Sequence, residues 1–129
     1  MKKFILVMTM TILTLSCFSQ VYKFKSTNYD IEKPNVATYK TYYDVTYHTF
    51  DYDNLLVTFE GKNSNGTQTI IKYPMKSFYK ETGLFAETWV IVVGQKGVKE
   101  IWFSIQANNL GYDLEDGTRI AYYDVTQLK

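Results

Sequence analysis

The stretch TWVIVVGQKGVKEIWFSI, residues 88–105, decides the fold class. In its second half Ile101, Phe103 and Ile105 alternate with Glu100, Trp102 and Ser104, the period of two that a half-buried strand requires. Its first half is apolar on both faces from Trp89 to Val93, which reads as a central strand covered on each side. Gly94 and Gly97 stand between the two and supply a chain reversal.

The same grammar extends outward. LLVTF at 55–59 points Leu55, Val57 and Phe59 inward, Gly83 closes KETGL, and Asn65-Gly66 and Asp116-Gly117 supply the positive φ that tight hairpins demand. Strands are expected near 20–26, 36–43, 44–50, 55–60, 67–73, 76–80, 86–94, 98–106 and 118–125, with 36–50 open between one bent strand and two. Pro34 and Pro74 are the only prolines, and no stretch shows a capped apolar period of 3.6. Residues 107–117 form the longest expected loop, with room for one helical turn. The fold expectation is all-β: an antiparallel meander of about eight strands, forming a small lipocalin-like barrel or a sandwich.

The chain opens MKKFILVMTMTILTLSCFSQ, with two lysines, an apolar run over 4–15 and small residues at Cys17 and Ser19. That is the order of a secretory signal peptide. The run of about 12 residues is too short for a membrane span of about 20. Cleavage before Gln20 is expected, giving a signal peptide over 1–19 and a single β domain over 20–129. The rival reading lipidates Cys17, because Leu15, Ser16 and Cys17 form most of a lipobox, and would anchor the protein to a membrane. Cys17 is the only cysteine. A processed chain would therefore have neither disulfide nor thiol nucleophile, although a secreted or periplasmic compartment permits disulfides.

With Lys2 and Lys3 removed, 12 basic residues face 13 acidic ones. Near-neutrality without a basic stripe argues against nucleic acid as a partner. All 12 tyrosines, both tryptophans and six of the eight phenylalanines follow Gln20, a composition suited to pleated surfaces.

YYDVT occurs at Tyr42–Thr46 and again at Tyr122–Thr126. The flanking residues do not match, so similar strand environments explain the two copies better than duplication of a longer unit does. The first copy lies in YKTYYDVTYHTFDY, which carries Tyr39, Tyr42, Tyr43, Tyr47, Phe50 and Tyr52. One strand cannot bury both faces of such a run unless it is central. Some of these rings are therefore candidate ligand contacts, each tyrosine offering an apolar face and a polar tip. Cross-strand aromatic ladders are the structural alternative.

His48 is the only histidine, with Asp44 and Asp51 nearby, which raises acid–base catalysis. A nucleophilic triad would also need a serine on a strained loop, a context that Ser26, Ser64, Ser77 and Ser104 lack. Asp51, Asp53 and Asn54, and Asp113, Glu115 and Asp116, are acidic clusters that suggest calcium, but neither completes an EF-hand loop. Acidic residues also start turns. No metal, cofactor or catalytic residue is assigned.

QVYKFKS, Gln20 to Ser26, following the leader, resembles the mature openings of small secreted bacterial β-rich proteins of uncharacterised function, and IAYYDV, Ile120 to Val125, is similar to a late strand of that set. The resemblance implies an antiparallel β domain and carries over no site residue. The expected function is an exported, non-enzymatic domain binding a small ligand, a glycan or an envelope protein through its aromatic residues. The alternatives are a structural or interaction subunit of the cell envelope and, behind it, a hydrolase using His48.

Overall fold

A computed structural model describes residues 20–37, 40–63, 65–84 and 86–128. The leader with Cys17, and Tyr39 and Ser64, lie outside the described residues. Eleven strands follow in order: β1 (Val21–Ser26), β2 (Asn28–Glu32), β3 (Lys40–Tyr42), β4 (Thr46–Asp51), β5 (Leu56–Lys62), β6 (Gln68–Thr82), β7 (Glu87–Val93), β8 (Val98–Ser104), β9 (Asn109–Leu114), β10 (Arg119–Tyr123) and β11 (Thr126–Leu128). All pair antiparallel in the order β11-β1-β4-β5-β6-β7-β8-β9-β10-β2-β3, and the sheet curls into a half-barrel. Among the described residues there is no helix.

The all-β antiparallel expectation holds, but the count is eleven and not about eight. Bends explain the difference. β1 passes into β2 at Thr27, and β10 into β11 through Asp124 and Val125. Lys25 faces Thr126 and Asn28 faces Tyr123, so one register runs through both breaks. β3 and β4 are likewise one strand interrupted at Tyr43–Val45. Ser26 faces Thr46 and Tyr29 faces Tyr42, leaving one extra residue on the second side, the signature of a bulge. Strands that bend in this way turn the corners of a curled sheet.

Three other expectations fail for identifiable reasons. The stretches 67–73 and 76–80 form one 15-residue strand, β6, which runs through Pro74. The proline sits where β6 leaves β5, at Leu56 opposite Pro74, and takes up β7, at Met75 opposite Val93. A missing N–H is tolerated at such a corner, and the Pro74 carbonyl still accepts from the Gly94 amide at 3.0 Å. Residues 107–117 hold β9 in place of a long loop. Its Gly111, which weakens the strand signal, lies beneath the Trp102 ring. β2 was not expected, because its buried residue is the charged Asp30, satisfied by the Thr41 hydroxyl at 2.6 Å.

The interior is filled by side chains, with aromatic rings at its centre. Phe103 packs at 4.4 Å from Phe50 and 5.1 Å from Phe24, between ring centroids, and stacks on Trp89. Phe50, Val57, Ile91, Ile101 and Leu110 have no solvent exposure. Leu55 and Ile105, expected inside, are exposed because each lies one residue beyond a strand end, Leu55 with a φ of 54°. Ser104, expected outside, is buried.

The two YYDVT copies occupy two of the bends. They do not pair with each other, because β2 runs between them. Its Tyr29 ring stacks on Tyr42 at 5.1 Å and tilts against Tyr122 at 5.2 Å. Beyond the tyrosines the copies diverge: Thr46 is buried and Val45 exposed, whereas Val125 is buried and Thr126 exposed.

Candidate binding surface

The aromatic segment divides between interior and surface according to the strand pleat. Phe50 is fully buried and Tyr52 nearly so, its ring edge-on to Phe78 at 4.8 Å. Burial pushes the Tyr52 phenol far above its ordinary pKa. Tyr42 is half-buried in the ladder with Tyr29. Those three rings build the fold. Tyr43 is 80% exposed and Tyr47 39%, the two most exposed of the described rings of the segment.

The bulge explains their position. At Tyr43–Val45 the strand leaves both ladders, which frees Tyr43 from any cross-strand neighbour, and Tyr47 then points outward as its neighbours Thr46 and His48 point in. Tyr47 lies opposite Glu60, and Lys62 opposite Gln68. Together with Asp44 these residues line an open cleft of about 430 Å³. Sequence alternation shows Glu60 and Lys62 on one face of β5. Only the β4–β5 register places them beside Tyr47.

His48 occupies the core. It has no solvent exposure, its Nε2 is 2.9 Å from the Thr46 hydroxyl and its Nδ1 is 2.8 Å from the Tyr112 hydroxyl. The Tyr122 ring stands edge-on at 4.4 Å. Burial lowers its pKa to about 3, so the ring is neutral. The Tyr112 and Tyr122 phenols are raised by the same desolvation, reinforced by neighbouring phenols. The alignment of His48 with Asp44 or Asp51 that the hydrolase alternative would need does not form: Asp44 lies in the surface cleft and Asp51 caps a turn, accepting from the Asn54 amide at 3.1 Å.

The acidic clusters are likewise engaged locally. Asp53 accepts from the Gln20 amide at 3.3 Å, Asp116 accepts from the Thr118 amide at 2.8 Å, and Asp113 holds Arg119 through two contacts of 2.7 and 3.1 Å. Hydrogen bonds from Thr118 lower the Asp116 pKa. Among the described residues no group of three His, Cys, Asp or Glu side chains is placed to hold a metal.

A second cleft runs over the outer face of β8 to β10, beside Glu100, Asp113 and Arg119. The Trp102 ring, which lines the part of this cleft nearest Thr88 and Val90, packs closely on Gly111 and carries the Arg119 guanidinium 5.5 Å from its centroid. Among the described residues no helix is long and apolar enough to cross a membrane. Comparison with protein-family models and with curated proteins finds no match to this chain.

Proposed function

We propose that the protein is an exported, non-catalytic recognition domain that binds a carbohydrate chain on Tyr43 and Tyr47. The observation that carries this reading is the contrast between a filled interior and these exposed rings. Phe50, Phe103 and Ile91 occupy the space where a lipocalin-like ligand would sit, whereas Tyr43 and Tyr47 flank a cleft lined by Asp44, Glu60, Lys62 and Gln68. Pyranose rings carry apolar C–H faces that pack on phenol rings, and hydroxyls that pair with carboxylates, amides and ammonium groups. The burial of His48 away from any carboxylate supports the non-catalytic part of the reading. The leader supports export.

Titration of the purified protein against a panel of bacterial and host glycans tests it. A Tyr43→Ala, Tyr47→Ala double variant is expected to bind a retained glycan at least about tenfold more weakly, a loss of ~1.4 kcal/mol, with an unchanged melting temperature. Full retention of binding by the variant, or no binding to any glycan by the parent, would refute the site.

A second reading, an interaction subunit of the cell envelope, is supported by the outer part of β6, where all residues from Lys76 to Thr82 are exposed.

A further inference from the structure

β6 changes partner halfway along. Its first half pairs with β5 and its second half with β7, and among the described residues nothing pairs with the other edge of residues 76–82. The hairpin also projects, because β7 meets β8 only from Trp89 onward, while Glu81 and Thr82 still pair with Thr88 and Glu87. Exposed Phe78 and Tyr79 lie on this edge. A long strand with one open edge is a template for a further strand.

The direction of the open groups follows from the hairpin end. The Gly83 amide donates to the Ala86 carbonyl at 2.9 Å, so Gly83 faces β7. Facing alternates along an antiparallel ladder. Glu81, Tyr79 and Ser77 therefore bond toward β7, and Phe78, Lys80 and Thr82 turn their N–H and C=O groups to the open edge.

We infer that this edge pairs with the same edge of a second copy of the chain, forming a two-fold antiparallel junction centred on Tyr79. The inference rests on the interaction reading and is independent of the Tyr43 cleft. Charge selects the register. Overlap of the whole stretch puts Tyr79 opposite its copy, Phe78 opposite Lys80, Ser77 opposite Glu81 and Lys76 opposite Thr82. No like charges meet, and the Lys80 stem lies beside the Phe78 ring. A shift of two residues in one direction sets Lys80 against Lys80, and in the other sets Lys76 against Lys80, each a like-charge pair that disfavours pairing. The junction is isologous and so closes at two copies.

Sedimentation equilibrium of the purified protein tests the pairing. The parent is expected as a dimer that Tyr79→Lys and Lys80→Pro each convert to monomer with an unchanged far-ultraviolet dichroism spectrum. The first places like charges on the axis. The second removes an outward N–H that β7 does not use. A monomeric parent, or variants that remain dimeric, overturns the inference. A photo-crosslinking amino acid at position 79 in producing cells separates the two levels. A crosslink to a second copy is expected. A crosslink only to a different protein overturns self-pairing but leaves the interaction reading standing, and absence of any crosslink overturns both.

Discussion

Nδ1 of His48 on β4 lies 2.8 Å from the hydroxyl of Tyr112 on β9, joining strands 64 residues apart through the middle of the core. Both groups are buried, and each satisfies the other where no water reaches. An unpaired polar group at this depth would cost about 1–3 kcal/mol, so the pair fixes the relative placement of two otherwise apolar sheet faces.

The same pair makes stability depend on pH. Unfolded histidine titrates near ~6.5, whereas buried His48 titrates at about 3. Between those values the unfolded chain takes up a proton that the folded chain refuses, so the contribution is complete above the unfolded pKa and is lost as pH falls toward the folded one. Urea unfolding at pH 7.5 and 4.5 is expected to show a loss on the order of 2–3 kcal/mol from this group. His48→Gln, which has no proton to gain, should lose correspondingly less. Equal losses, or an imidazole resonance titrating near neutrality, would contradict the assignment.

Gly111 is required by Trp102. A Cβ at position 111 would lie 2.6 Å from Trp102 Cε2 and 3.0 Å from the Ile120 carbonyl oxygen. Gly111→Ala is expected to destabilise the protein by about 1–3 kcal/mol. Combining it with Trp102→Leu should recover part of that loss, so a thermodynamic cycle on the two positions should show coupling above about 0.5 kcal/mol. Additive losses would mean that the backbone contact with Ile120, and not the ring, is the obstacle.

Ser26 locks the corner between β1 and β2. Its hydroxyl is fully buried and lies 2.6 Å from the Tyr123 carbonyl and 2.9 Å from the Asn28 carbonyl, spanning both bends. Ser26→Ala is expected to cost about 1–2 kcal/mol, whereas Ser77→Ala on the exposed part of β6 should fall within about 0.5 kcal/mol of the parent. Chemical denaturation of the two variants makes the comparison, and equal midpoints would remove the role given to the corner.

Much of the strand pattern could be read from alternation. Ile101, Phe103 and Val57 are buried as period two dictates, and in the run that is apolar on both faces the adjacent Val90 and Ile91 are both buried. What misled the reading were residues whose local propensity opposes their place: Asp30 buried in β2, Gly111 inside β9, Pro74 inside β6. Each is tolerated through a partner distant in sequence or across a ladder, the Thr41 hydroxyl, the Trp102 ring and the Gly94 amide respectively. The candidate surface was half legible. Tyr43 and Tyr47 stood in the aromatic segment, but Phe50, Tyr52 and Tyr42 stood there equally, and a one-residue bulge decided which rings face water.

By itself, then, the amino-acid order determined an antiparallel all-β chain, because side-chain alternation and positive-φ turns act between near neighbours and need no knowledge of the fold. Tertiary structure alone decided that three long strands bend into six, that His48 is a neutral core group, and that the open edge of β6 and the cleft at Tyr43 are the surfaces left over. Those outcomes depend on which strand lies beside which. Register sets burial, and burial sets both the charge a side chain can carry and the faces it can offer.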